Sequence, residues 1–395
     1  MKAVILAAGE GKRLRPFTEA IPKVMLPVAN KPIIHHVVDA LVANGINEII
    51  IVVGYKKESI MQHFKSYEES EIGFIIQDKQ LGTAHALLQV QNLIHDPFLV
   101  LPGDNIISAS SISKLIQDKN EYAMVIKQFD RPSKYGMVSI LKNKLTTIVE
   151  KPLTTEDNSF ISTGIYKFPE TIFEEIQEVS NKGEYRLTSV IQNLLKKQIE
   201  IYTVQANVWL DVVHPWDLLP VNDAKLRKIE TQTNGIIEKN VTIKGKVDIG
   251  ENTHIHSGCY LIGPLVIGKN CEIGPNTCIF PSTTIGDNTV IRSFSEIKNS
   301  IIMNDVRIGS NTFISHSVIA KGSYLHHGFS SITGDSIKYY QNECIKLHDI
   351  GVMIADDTII QNHVVTYPGV VIGRHCQISP LKQISNDIIS ETRVM

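Results

Sequence analysis

Two hydrophobic rhythms divide the chain. Over roughly the first 230 residues, short apolar runs alternate with stretches in which apolar residues recur at helical spacing. Residues 3–6, 48–53, 72–77 and 98–101 are near-continuous apolar runs, short enough to be buried strands. Between them Ile33, Ile34, Val37, Val38, Leu41 and Val42 line one helical face, and Gly45 closes that helix. Residues 59–64, 83–91 and 112–117 read as further helices, 199–204 as a strand, and Pro215 opens a helix running to about Ile229. This alternation predicts an α/β domain over 1–230, with a mixed, mostly parallel sheet and helices on both faces. Ligands in such sheets bind beyond the carboxyl ends of the strands, so the informative residues are those that follow strands.

From Ile237 the period changes. Ile237, Ile243, Ile249, Ile255, Leu261, Ile267, Ile273, Ile279, Ile285, Ile291, Ile297 and Met303 stand at every sixth position, with Asn, Gly, Ser and Thr between them. Each hexad supplies a short strand and a turn, and three hexads close a triangular coil with the sixth-position residues stacked inside. The pattern is that of the left-handed parallel β-helix, an exception to the usual crossover hand. It slips by one at Ile308, resumes at Ile314, is irregular over 321–349, and returns at Ile359, Val365 and Val371. The β-helix is expected over 231–380, followed by an unpatterned tail, 381–395.

The candidate chemistry begins just after the first strand. Residues 6–27 read L-A-A-G-E-G-K-R-L-R-P-F-T-E-A-I-P-K-V-M-L-P. Ala8, Gly9 and Gly11 leave backbone N–H groups open to an anion, and Lys12, Arg13, Arg15 and Lys23 add fixed positive charge, together a polyphosphate site. A dinucleotide fingerprint needs a third glycine where Leu14 stands, which removes a dinucleotide-binding oxidoreductase. A P-loop needs glycine at Leu6 and Ser or Thr at Arg13. The whole run instead resembles the signature of the sugar-1-phosphate nucleotidyltransferases, L-x-x-G-x-G-x-R-L-x-P-x-T followed by P-K-x-x-L-P-V. It departs at Lys12, where many members carry Thr or Ser.

That resemblance implies a Rossmann-like nucleotidyltransferase domain and assigns roles along the chain. Leu6, Ala8, Gly9 and Gly11 would bind the nucleotide. Arg13 would hold the β- and γ-phosphates, and Lys23 the charge between the α-phosphate and the incoming phosphate. Residues 77–86 match Q-x-x-Q-L-G-T-A-H-A, in which Gln77 and Gln80 read a pyrimidine and Gly82 and Thr83 line its pocket. An amide can pair with a pyrimidine edge but cannot separate UTP from dTTP. Asp104, in L-P-G-D-N, follows a strand where a carboxylate facing a triphosphate can hold Mg²⁺, and the W-x-D context implies Asp211 as the second ligand. Gly136, Glu150 and Lys151 of the V-E-K-P stretch, with Ser162 and Thr163, would meet the sugar phosphate, although Ser162 replaces the family's Asn. The implied reaction transfers a nucleotidyl group from UTP or dTTP to glucose-1-phosphate or N-acetylglucosamine-1-phosphate, releasing pyrophosphate. A non-catalytic regulatory subunit is the competing class, and the intact Arg13, Lys23, Asp104 and Asp211 argue against it.

The pairing of both domains resembles the bifunctional enzymes that make UDP-N-acetylglucosamine, including archaeal members, whose β-helix also acetylates an amino-sugar phosphate from acetyl-CoA. Acetylating members carry P-H-L-S-Y-x-G-D, and its histidine is the general base. Counting from Met303, Ser310 stands at that position. His316 falls one hexad on, and His326 and His327 about one coil on, roughly 4.8 Å away at the usual strand spacing, as a candidate second site. The expectation is that acetyl transfer is lost or weak and that the β-helix serves assembly, as a homotrimer or a multiple of one.

Bulk composition changes this picture little. A net charge of −2 gives no basis for binding nucleic acid or a membrane surface. Five cysteines, an odd count with no C-x-x-C pair, argue against a disulfide framework and fit a reducing cytoplasm. No apolar run reaches the roughly 20 residues that span a bilayer, and the N-terminal run is broken by Gly9 and charges, unlike a signal peptide.

Overall fold

The computed structural model describes residues 1–129, 135–150, 159–340 and 343–395. The chain divides into two units: Met1–Glu10, Ile21–Met25 and Pro32–Asp211 in the first, and Gly11–Ala20, Leu26–Lys31 and Val212–Met395 in the second.

Among the described residues, the first unit has strands β1 (Ala3–Ala7), β2 (Glu48–Val53), β3 (Glu71–Ile76), β4 (Phe98–Pro102), β5 (Asn105–Ile107), β6 (Ala123–Phe129), β7 (Gly136–Leu141), β8 (Lys144–Glu150), β9 (Ser159–Phe168), β10 (Tyr202–Gln205) and β11 (Trp209–Asp211). Nine of them form one sheet in the order β3-β2-β1-β4-β9-β6-β10-β8-β7, while β5 and β11 pair as a separate ribbon. The sheet is mixed. The first four strands are parallel, and antiparallel pairing enters with β9, which runs against β4, β6 and β7.

Helices α1 (Ile33–Val42), α2 (Lys57–His63), α3 (Thr83–Leu88), α4 (Ala109–Gln117), α5 (Ile172–Ser180) and α6 (Leu187–Lys196) cover both faces. Val4, Val52 and Val100 pack on one side with Leu87, Ile176, Val190 and Leu194. Ile5, Ile51 and Leu101 pack on the other with Val37, Leu41, Ile60, Ile112 and Leu115. Successive strand residues point to opposite faces, so a sheet covered on both sides needs continuous apolar runs, as these strands have.

Among the described residues, the second unit contains α7 (Leu218–Leu226), then three parallel sheets of nine, eight and seven strands whose inward residues form one apolar column. Partners lie 18 residues apart at first, as in Ile255↔Ile273 and Ile267↔Ile285. The turns are held by residues at left-handed φ. Asn252, Asn270 and Asn288 have φ of 59°, 55° and 57°. Their side chains form a ladder, with Asn252 Nδ2 donating to Asn270 Oδ1 at 3.2 Å, Asn270 to Asn288 at 3.3 Å and Asn288 to Asp305 at 3.0 Å. Asparagine tolerates this backbone region better than other side chains with a Cβ.

The structure corrects the hexad reading at three places. Ile302, not Met303, joins the core column, since Ile285 pairs with Ile302. The one-residue shortening therefore falls between Ile297 and Ile302, ahead of Ile308. Later, Ile360, Thr366 and Ile372 are the fully buried positions, while Ile359, Val365 and Val371 are only partly covered. Adjacent aliphatics make the phase ambiguous by one residue, and the buried Thr366 hides it further. Finally, Gln383–Ile384 and Arg393–Val394 pair with earlier coils, so the coil continues through the expected tail. The irregular stretch contains an antiparallel hairpin, Gly334–Tyr340 with Glu343–Ile350.

Residues 11–20 group with this unit through Glu19. Its carbonyl accepts from Arg374 Nη1 at 3.4 Å and its carboxylate from Ser390 Oγ at 2.9 Å.

Candidate active site

The carboxyl end of β1 is a crowded backbone crossing. Leu6 O accepts from Gly103 N at 2.9 Å, and Ala8 O accepts from Tyr55 N at 3.0 Å. A Cβ on Gly54 would lie 2.8 Å from both Ala8 O and Gln80 Nε2. Glycine there lets the segment around Gln80 close onto the end of β1. Gly9 is exposed, with nothing within 4 Å of an added Cβ.

The next loop belongs to the second unit and is described within it. Gly11 adopts φ 74° before a 3₁₀ turn, Lys12–Leu14. Gly11 O accepts from Leu14 N at 2.9 Å and from Thr18 Oγ1 at 3.1 Å. Leu14 and Phe17 are buried while Arg13 is half-exposed, so the turn is anchored by its apolar side.

The first unit's strongest feature is a cation between two carboxylates. Lys23 Nζ lies 2.6 Å from Asp104 Oδ2 and 3.2 Å from Asp211 Oδ1. Asp104 directly precedes β5, and the register of the β5/β11 ribbon sets Asp211 opposite Asn105. This ribbon brings the two acids onto one ammonium. The Lys23 and Asp211 side chains are each 12% exposed, and that of Asp104 is 36% exposed. Burial alone would lower the Lys23 pKa, but Asp104 and then Asp211 overcome it and the ammonium is held more firmly than usual. Asp211 moves upward, because burial and the Asp104 charge outweigh Lys23. Tyr135, which the motifs did not single out, donates from its hydroxyl to Asp211 Oδ2 at 3.2 Å. Its ring meets the buried Trp209 ring edge-on at 5.4 Å, so Trp209 is a core residue orienting the acid beside it. Two carboxylates already sharing one cation are hard oxygen donors of the kind that suits a divalent ion such as Mg²⁺.

The other expected residues divide by exposure. Gln80 and Thr83 are exposed. Gln77 is 2% exposed, and its Nε2 donates to Gly82 O at 3.2 Å and faces His85 Nδ1 at 2.8 Å, a partner the motif match did not reveal. A Cβ on Gly82 would meet Tyr185 O at 2.3 Å, so the chain there tolerates glycine alone. Glu150 pairs in register with Gly136 at the end of the β7/β8 hairpin and is half-exposed. Ser162 is buried against Tyr166, its Oγ 3.1 Å from the phenol, and Thr163 Oγ1 donates to Val125 O at 2.7 Å. Both hydroxyls are engaged inside the protein. Lys151 lies outside the described residues.

In the β-helix, Ser310 N donates to His327 Nδ1 at 3.0 Å. His326 stacks on Tyr324 with centroids 4.0 Å apart. His316 faces Ser315 Oγ at 2.8 Å and lines a cavity of about 480 Å³ with Asp223, Arg227 and Asp349. Burial lowers the pKa of both His316 and His326. Among the described residues no helix is long and apolar enough to cross a membrane.

The chain is similar to known proteins over its whole length. Residues 2–228 match the family described as "Nucleotidyl transferase", and residues 261–394 that described as "GMPPB C-terminal domain". The chain is 36% identical over 410 residues to "Bifunctional protein GlmU" of Methanococcus maripaludis, covering 100% of this chain and 97% of that relative. It is 32% identical over 405 residues to a "Bifunctional sugar-1-phosphate nucleotidylyltransferase/acetyltransferase" of Sulfurisphaera tokodaii, covering 98% of each. A crystal structure of a Bacillus anthracis protein assigned as a glucose-1-phosphate thymidylyltransferase superposes with a TM-score of 0.53 at 28% identity, over 59% of this chain and 98% of that one.

Proposed function

The chain belongs to the nucleotidyl transferase family as a sugar-1-phosphate nucleotidyltransferase, and from that premise we propose that it joins UTP or dTTP to glucose-1-phosphate or N-acetylglucosamine-1-phosphate. A phosphate oxygen of the sugar attacks the α-phosphorus. The bond from that phosphorus to the β-bridging oxygen breaks, and pyrophosphate leaves with the electron pair. No covalent intermediate on the protein is needed, so the work is positioning and neutralisation of charge.

The observation that carries this reading is Lys23 held between Asp104 and Asp211. Members of the family use a divalent metal, and we assign Mg²⁺ here, with Asp104 and Asp211 to hold it. Bound, it would neutralise phosphate charge. Lys23, kept charged by the same two acids, is supplied to the phosphates as a fixed cation. Arg13, by its place in the motif, takes the β- and γ-phosphates. Exposed Gln80 and Thr83 face the base, and Gln77 shapes the pocket from behind through Gly82 and His85. Glu150 and Gly136 are assigned to the sugar. The test is a panel of nucleoside triphosphates against sugar-1-phosphates, read as pyrophosphate release. UTP or dTTP with one of the two sugars should be turned over, and release with purine triphosphates alone would overturn the base assignment.

The name of the Sulfurisphaera relative favours a second reading, acetyl transfer in the β-helix. The local geometry weighs against it. With His327 Nδ1 accepting from Ser310 N, the neutral ring carries its proton on Nε2 and has no free lone pair for an incoming amine. We therefore propose an assembly role for the β-helix, as a trimer or a multiple of one. Free thiol released from acetyl-CoA in the presence of glucosamine-1-phosphate, and abolished by His327→Ala, would establish acetyl transfer instead.

A further inference from the structure

His254 and His256 flank Ile255, which points into the β-helix and is fully buried. Alternate residues of a strand share a face, so both imidazoles stand on the outer surface. Ile237 pairs with Ile255 one coil earlier, which sets Glu238 beside His256. The three side chains converge. His254 Nε2 lies 2.9 Å and His256 Nδ1 3.0 Å from the same oxygen, Glu238 Oε1. The two rings stack with centroids 4.2 Å apart.

We propose that Glu238, His254 and His256 form a binding site for a divalent transition-metal ion of the zinc class, independent of the nucleotidyl transfer site. One donor atom from each residue lies within 4.8 Å of the other two. Bonds of about 2.0–2.1 Å in a tetrahedral site put ligand atoms about 3.3 Å apart, within a few tenths of an ångström of the two distances from Glu238 Oε1 to the imidazole nitrogens. Two neutral imidazoles and one carboxylate select zinc over magnesium, which prefers oxygen alone. Two imidazole nitrogens and one carboxylate oxygen converge on a single point, where one ion can meet all three.

The surroundings match a metal centre. Glu238 Oε2 accepts from Ser257 N at 2.8 Å, which fixes the carboxylate and leaves Oε1 facing the imidazoles. On the far side of His256, Nε2 lies 3.6 Å from Glu272 Oε1, itself held 3.5 Å from Arg292 Nη1. A metal-ligating imidazole ordinarily turns its other nitrogen toward a carboxylate in this way. The three side chains are 37%, 38% and 26% exposed for Glu238, His254 and His256, so an ion and one completing water can reach them. The ion would staple the first coil to the second. That coil starts the sheet and has a partner strand on one side only.

The test uses full-length, tag-free protein stripped with a chelator. Zn²⁺ is titrated against a chromophoric competitor, and Co²⁺ is titrated in parallel for its tetrahedral absorption bands. Wild type should bind one more equivalent of Zn²⁺ than the double variant His254→Ala/His256→Ala, and the ion should raise its melting temperature. Glu238→Gln keeps the size of the side chain and should weaken binding by tenfold or more. It also decides the matter if the double variant does not fold. Equal stoichiometry and affinity in wild type and Glu238→Gln, or no Zn²⁺ bound by wild type at micromolar concentration, overturns the site.

Discussion

Replacing Lys23 with methionine keeps most of its length and removes the charge that Asp104 and Asp211 share. Breaking a buried ion pair by removing one partner costs about 3–5 kcal/mol, because the remaining charge stays desolvated. Here Asp211 is well covered but Asp104 is about one-third exposed, so water recovers part of the loss. A cost of about 3 kcal/mol at neutral pH is expected, or about 6–12 °C in melting temperature at 2–4 °C per kcal/mol for a unit of this size. Two further consequences separate this from a packing defect. A divalent ion can take over the neutralising role, so Mg²⁺ should raise the melting temperature more in Lys23→Met than in wild type. Saturation at a hundred times the dissociation constant is worth about 2.7 kcal/mol. Asp211 already resists ionisation, and without Lys23 it takes up a proton at higher pH still, so the penalty is present at neutral pH and fades on acidification. Scanning calorimetry with and without Mg²⁺, at neutral and mildly acid pH, measures all three effects. A variant that melts with wild type in metal-free neutral buffer, or gains no more from Mg²⁺ than wild type does, would refute the reasoning.

Arg13→Ala should lower turnover on the order of 10³-fold, the scale of a charge clamp in phosphoryl transfer, with the melting temperature nearly unchanged because Leu14 and Phe17 still anchor the turn; pyrophosphate release measures it. Asp356 sits in the β-helix with its pKa pushed up from 3.8 to about 6, chiefly by burial. Above pH 6 the folded state must hold this charge in poor surroundings, whereas below 3.8 both folded and unfolded chains are protonated. Asp356→Asn should therefore stabilise the protein by at most about 3 kcal/mol at neutral pH, with the gain disappearing as pH falls from 6 to 4. Denaturant melts across that range give the profile, and a gain independent of pH would contradict it.

Sequence and structure agree best where a pattern is local. The strand Glu48–Val53 and the helix Ile33–Val42 follow directly from apolar spacing. The phase of the later hexads does not, because pairs such as Ile359-Ile360 and Val371-Ile372 satisfy the inward position equally well by hydrophobicity. The ladder register decides it, and that information lies a coil away. The acid–lysine–acid cluster is less legible still. Lys23 is 81 residues from Asp104 and 188 from Asp211, and no spacing rule connects them. Motif resemblance named all three residues, but the shared cation, the Tyr135 hydroxyl and the internal partners of Gln77, Ser162 and Thr163 needed coordinates.

The two units also differ in how synthesis can complete them. The β5/β11 ribbon joins a segment made early to one made late. At about 5–20 residues per second, the 188 residues from Lys23 to Asp211 take about 10–40 s to translate. Until Asp211 emerges from the ribosome, Lys23 and Asp104 lack their third partner, and a nascent chain carrying the whole phosphate-binding motif still has an incomplete ion cluster. The β-helix has no such delay. Each coil needs only the one before it, 16–18 residues earlier, or 35 where the hairpin intervenes, so it can grow close to the pace of translation.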